Sequence, residues 1–274
     1  VAAAVALVVI VVAVSLPARA QSQPASPVRI MVHRTESLAL STAFAGIWVG
    51  SEMLKGSLAP GACRVCGVNG FDAATRDALR WPAAGAAATS SDVLGFGIAP
   101  LLAVGALAST SANTAEFVDD LLIVGEATFG TGVLVQSTKF LVGRERPFVR
   151  ELRQHGPQAP GPPGSDDNLS FFSGHTSVTV ALGTSVATLA TLRGHRAAPW
   201  LWASGIAAGL ATGYLRIAAD KHYATDVLTG AVVGAAMGIT VPLLHVARES
   251  DHSKPSLLPT VAAGPSAVSL RWRL

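Results

Sequence analysis

The chain has 274 residues, of which 50% are hydrophobic and only 14% charged, with a mean hydropathy of +0.46. An ordinary soluble domain carries about 25% charge, so a disordered chain is excluded. The low aromatic share of 6% points to closely packed helices, in or on a membrane, rather than an aromatic-rich β-sandwich. A net charge of +3, spread without a long basic run, argues against nucleic acid as a partner.

Val5 to Leu16 are almost unbroken Ala, Val, Leu and Ile, and Ala18-Arg19-Ala20 follows Pro17. That pattern predicts a signal peptide or N-terminal anchor over residues 1–20, with a linker over 21–37. Apolar helical stretches come next, at Leu38 to Leu54, Val93 to Ala108, Phe117 to Leu141, Thr176 to Leu192, Pro199 to Ala218 and Val227 to Val246. They predict an all-α, six-helix bundle over residues 38–250, membrane-embedded, the last helix being long enough to cross a bilayer. Between the first two lies Cys63-Arg-Val-Cys66, then an amphipathic stretch from Phe71 to Trp81. With no second cysteine pair to complete a zinc site, an exported chain favours a structural disulfide between Cys63 and Cys66 over a redox pair. Gln154 to Leu169, rich in Pro and Gly, reads as an exposed loop. In the tail, 251–274, Val268, Leu270, Trp272 and Leu274 alternate with polar residues after Gly264-Pro265, which predicts a short β-hairpin. The link Arg193-Gly194-His195-Arg196 prefers the cytoplasm by the positive-inside rule, which places the segments on either side of that helix pair outside. Counted back through six spans, this puts the mature N-terminus inside, the opposite of what a cleaved export signal demands.

Three short segments hold most of the strongly polar groups beside these helices. Lys139, Arg144, Arg146, Arg150 and Arg153 fall within fifteen residues and suggest an anion nearby. Lys139 and Arg146 are seven apart, on one helical face if the helix runs on to Pro147. Ser173-Gly174-His175 opens the helix that starts near Thr176, where backbone N–H groups and the positive helix end suit an oxyanion. A plain helix cap by Ser173 is the simpler reading of that segment alone. Arg216, His222 and Asp226 join the next two helices. Their His–Asp spacing of i, i+4 lets a carboxylate fix one ring nitrogen and leave the other as a nucleophile, although Asp226 also suits a helix N-cap.

Taken together, these segments resemble the three-part signature of the type 2 phosphatidic acid phosphatase superfamily, which also includes the vanadium haloperoxidases. Its pattern reads K-x6-R-P, P-S-G-H and S-R-x5-H-x3-D. The chain has Lys139 to Arg146-Pro147, Phe172-Ser173-Gly174-His175, and Leu215-Arg216 through His222 to Asp226, with every internal spacing kept. Phe172 replaces the usual Pro and Leu215 the usual Ser.

The resemblance implies a metal-independent phosphatase acting on a phosphomonoester or diphosphate, a phosphorylated lipid first among them, through a phosphohistidine. His222 would be the nucleophile, Asp226 its support and His175 the acid and base. Lys139, Arg146, Ser173, Gly174 and Arg216 would hold the phosphoryl oxygens. It implies no cofactor, vanadate serving only as a phosphate mimic. The expected location is the cell envelope, either in the inner membrane with the site facing the periplasm or exported to the periplasm. A broad-specificity periplasmic acid phosphatase and a vanadium-dependent haloperoxidase are the alternative readings.

Overall fold

A computed structural model describes residues 28–155 and 164–247, and the backbone of 260–264 and 267–271. The expected leader at 1–20 lies outside the described residues. The elements in order are α1 (Arg34–Met53), α2 (Lys55–Leu58), α3 (Gly70–Leu79), α4 (Ala84–Asp92), a π-helical turn (Val93–Ile98), α5 (Ala99–Thr110), α6 (Thr114–Val142), α7 (Pro147–His155), α8 (Gly174–Leu192), α9 (Ala198–Ala218) and α10 (Ala224–Leu244). All six expected apolar helices are present. The second is longer than its apolar run suggests, because α4, the π turn and α5 form one continuous rod from Ala84 to Thr110. Beyond the bundle, the backbone of β1 (Thr260–Gly264) pairs antiparallel with that of β2 (Ala267–Arg271).

Local chemistry sets several of the helix ends. The Asn69 and Asn113 side chains accept the Asp72 and Glu116 N–H groups and start α3 and α6, each satisfying a donor that the first turn leaves unpaired. Pro sits in the first turn of α9, where its missing N–H costs nothing.

The bundle is built around α8, which is buried along nearly its whole length and packs against α6, α9 and α10. It is rich in Ser and Thr, several of which return their hydroxyls to the preceding turn, as Ser177 does to Ser173 O and Thr184 to Val180 O. A polar sequence therefore makes a dry central helix. Its neighbours approach closely at glycines. A Cβ on Gly183 would fall 2.6 Å from the Gly205 Cα of α9, and one on Gly234 of α10 would fall 2.3 Å from Ser177 O, the small-residue contact of apolar helix pairs. An apolar cluster of Leu107, Ile123, Val186 and Leu189 closes the end remote from the site described below.

The outward faces remain apolar, with Leu101 74%, Val232 70% and Leu244 75% exposed. By length and composition, the rod Ala84–Thr110 and α10 can each cross a bilayer.

Candidate active site

The first segment does not continue as one helix. Gly143 takes the left-handed conformation (φ 58°) and ends α6 by donating its N–H to Lys139 O. Residues 144–146 then run extended beside the cysteine-bearing loop: Arg64 N–H donates to Gly143 O and Glu145 N–H to Val65 O. Lys139 and Arg146 thus reach the same cavity from a helix end and an extended segment, a correction to the shared helical face. Cys63 and Cys66 are placed as a disulfide in that loop, with Cα atoms 5.5 Å apart.

Arg146 is aimed by the loop that follows. Its Nε donates to Asp166 O (2.8 Å), and its Nη2 lies 3.0 Å from Asp166 Oδ2. Lys55 Nζ also contacts Asp166, at 3.0 Å. Burial works to raise the Asp166 carboxyl, but Arg146, Lys55 and Lys139 outweigh it and hold the group well below the usual carboxylate range.

The second segment enters α8. Ser173 is fully buried, and its hydroxyl pairs with that of Thr176 at 2.9 Å, so Ser173 caps the helix and does not line the cavity. Gly174 does line it. A Cβ there would meet Val135 Cγ1 at 3.1 Å and Lys139 Nζ at 3.6 Å, so the missing side chain leaves room beside the ammonium. His175 faces the cavity from the first turn, and its Nε2 lies 2.7 Å from Asp92 Oδ1.

The third segment joins α9 to α10. Arg216 sits in the last turn of α9, donating through Nη1 to Ser91 Oγ (3.1 Å). The intervening loop is pinned by Asp220, whose carboxylate takes a two-pronged contact from Arg76 at 2.6 and 2.7 Å and whose φ of 58° an aspartate tolerates. His222, two residues on, is fully buried. Its Nδ1 lies 2.7 Å from the Ser170 carbonyl, and a carbonyl can only accept, so the proton sits on Nδ1 and the Nε2 lone pair is free. Burial first, then the charges of Arg146, Arg216 and Lys139, keep His222 neutral by pushing it well below the usual imidazole range.

Asp226 is not the direct partner of His222, since the nearest approach is 3.7 Å. Its carboxylate accepts the Ser170 hydroxyl (2.5 Å) and the Tyr223 N–H (2.9 Å), and it faces Arg144 Nη1 (2.5 Å). Arg144 in turn reaches Asp72 Oδ2 of α3 at 2.7 Å and lies over the Tyr223 ring. Asp72 also accepts the Thr225 N–H and hydroxyl.

Lys139, Arg146, Gly174, His175, Arg216 and His222 therefore line one cavity of about 270 Å³. Trp48 of α1 and Phe96 of the π turn form its apolar side, their ring centroids 6.3 Å apart. Lys55 also lines the cavity, as do the carboxylates of Glu52 and Asp166, and the remaining excess of cations beside two imidazoles suits a tetrahedral oxyanion. Phe172 is buried, and Leu215 packs on the Ala87, Ala218 and Ala219 cluster, so neither variant position lines the cavity. Among the described residues, no three His, Cys, Asp or Glu side chains converge as metal ligands would.

The sequence reading missed Asp72, Asp92 and Ser170 as parts of the site. Asp72 carried only the signal of an acid near the start of an amphipathic helix, and Asp92 that of an acid just before an apolar run. Ser170 had none, because it acts partly through its backbone.

No curated protein and no solved structure gives a significant match to the chain. The model of the PAP2 superfamily matches residues 120–250, a stretch that holds all three segments. The chain carries a PAP2 superfamily domain over residues 120–250.

Proposed function

We propose that this protein is a metal-independent phosphatase that hydrolyses a lipid phosphate, as a monoester or diphosphate, through a phosphohistidine on His222. Membership of the PAP2 superfamily implies phosphatase-type activity. The observation that carries the finer reading is the His222 hydrogen bond to Ser170 O, which leaves Nε2 as a neutral nucleophile in the cavity that Lys139, Arg146 and Arg216 line.

In this reading Lys139, Arg146 and Arg216, with the Gly174 N–H at the start of α8, bind the phosphoryl oxygens whose charge must be held during transfer. Ser173, as cap, fixes the turn that presents that N–H. His222 Nε2 attacks phosphorus, and its ring gains positive charge. Asp226 supports that charge through the Ser170 hydroxyl and keeps the ring in place. His175 protonates the departing oxygen and then takes a proton from the water that releases phosphate.

A lipid substrate is favoured by the apolar Trp48–Phe96 wall beside the cations and by the exposed Leu and Val on the outer helix faces. With this function goes a domain layout of a signal peptide or N-terminal anchor at 1–20, a linker at 21–37, a membrane-embedded helical domain at 38–250 and a tail at 251–274, placed in the cell envelope with the site on the periplasmic side.

The test is phosphate release, in a chelator, from a phosphatidate and a polyprenyl diphosphate in mixed micelles and from 4-nitrophenyl phosphate in buffer. The expected result is faster turnover of the lipids and loss of release in His222→Ala. Preference for the aryl ester would instead indicate a broad acid phosphatase, and peroxide-dependent bromination after vanadate loading a haloperoxidase.

A further inference from the structure

Asp92 lies outside the PAP2 match and outside the three motifs, yet it touches two of the cavity's groups. It ends α4, and the π turn that follows leans on α8. Gly95 permits this approach, since a Cβ there would fall 3.1 Å from Thr179 Oγ1. The turn sets the Phe96 ring 4.5 Å from the His175 ring, and Asp92 Oδ1 comes to 2.7 Å from His175 Nε2 and 3.4 Å from Arg216 Nη1. π-helical turns inside helices recur at functional sites, where the extra residue re-aims side chains.

The charges around His175 make this contact consequential. Burial first, then the charges of Arg216, Lys139 and Arg146, disfavour an imidazolium there. A general acid must nevertheless hold a proton to give one. Asp92 is the carboxylate in contact with the ring, and its side chain is 56% exposed.

We propose that Asp92 is a positioning residue for the acid–base step, pairing with His175 Nε2–H so that Nδ1 carries the proton exchanged with substrate. The proposal rests on the phosphatase reading above. In the first half-reaction the His222 Nε2–P bond forms and the P–O ester bond breaks, while the proton on His175 Nδ1 passes to the ester oxygen and the alcohol leaves. In the second, water adds to phosphorus and the N–P bond breaks. The water's proton returns to His175 Nδ1, and phosphate departs. Asp92 keeps its carboxylate charge throughout and stabilises the imidazolium, as a buried Asp does for the histidine of a catalytic triad.

The test compares wild type, Asp92→Asn and Asp92→Glu on an alkyl phosphate, whose alkoxide needs a proton to leave, and on 4-nitrophenyl phosphate, whose phenolate does not. The readout is kcat/KM, which reports only the steps up to departure of the leaving group. Asp92→Asn is expected to lose about 100-fold on the alkyl ester, the scale of general acid catalysis, and much less on the aryl ester. Asp92→Glu should restore a large part of the alkyl activity. Equal losses on both esters would make Asp92 a structural or oxyanion-site residue and overturn the proposal. A fall in KM with a rise in kcat/KM would overturn it too, identifying Asp92 as a counter-ion that substrate must displace. Wild-type protein that releases phosphate from neither ester would overturn the phosphatase reading and the proposal with it, whereas an active wild type with equal losses in the variant overturns the proposal alone.

Discussion

His222 and Asp226 are joined through a third residue: Ser170 takes the His222 Nδ1–H on its carbonyl and gives its hydroxyl to Asp226 Oδ2. The carboxylate and the imidazole stand 3.7 Å apart at their nearest, beyond a hydrogen bond. Ser170 is itself placed by its N–H, which donates to Arg144 O. The support of the nucleophile thus depends on the loop before α8 as well as on the first turn of α10.

Ser170→Ala keeps the backbone carbonyl and removes only the hydroxyl. Asp226 then loses a charge-assisted donor, which costs about 1.5–3 kcal/mol. We expect kcat to fall about tenfold, on the scale of that energy, with KM little changed, because the groups assigned to the phosphate are untouched. Steady-state kinetics beside a thermal melt checks this. A kcat equal to wild type would mean that the hydroxyl link does not reach the chemistry.

Arg144 stands between two fully buried carboxylates, Asp72 and Asp226. Arg144→Leu strands both charges, and removing one partner of a buried pair costs about 3–5 kcal/mol. Adding Asp72→Asn should recover part of that loss, since one stranded charge disappears. Denaturant unfolding of the two single variants and the double gives the coupling energy, and strict additivity would count against a shared network.

Gly143→Ala puts a side chain where φ is 58° and where the Cβ would meet Pro60 Cγ at 3.2 Å. The left-handed conformation alone costs about 1–2 kcal/mol. The substitution lies between Lys139 and Arg146, so KM for a phosphate ester should rise as stability falls. Measuring KM and the melting temperature together tests this, and a variant with unchanged KM would show that the two cations are positioned independently of the turn.

The neutral state of His222 makes stability depend on pH. Burial, then Arg146, Arg216 and Lys139, lower its pKa in the folded state, so the unfolded chain binds this proton more readily. The stabilisation is full above the unfolded value of about 6.5 and is lost as pH falls below it, at up to about 1.4 kcal/mol per pH unit. Melting temperatures taken from about pH 7 down to about pH 5 should fall, and fall less steeply in His222→Gln. Parallel slopes in the two proteins would assign the acid sensitivity to other groups.

The amino-acid order by itself determined the apolar helices, because a long run with few charges has few other ways to satisfy its backbone out of water. It also determined the three motifs, since a lysine, two arginines and two histidines at fixed spacings carry their chemistry in their identities. The end of α6 depended on contacts: Gly143 turns out of the helix where it meets Pro60 and Arg64 of a loop some eighty residues earlier. The same holds for Asp72, Asp92 and Ser170. Each is an ordinary polar residue in its local sequence, and each gains a role only when α3, the π turn or the loop before α8 packs against the helix ends that carry Arg144, His175 and His222. Residue type and spacing reveal which groups have charge and nucleophilicity, but which of them touch is settled by long-range packing, where the distances that decide a hydrogen bond are set.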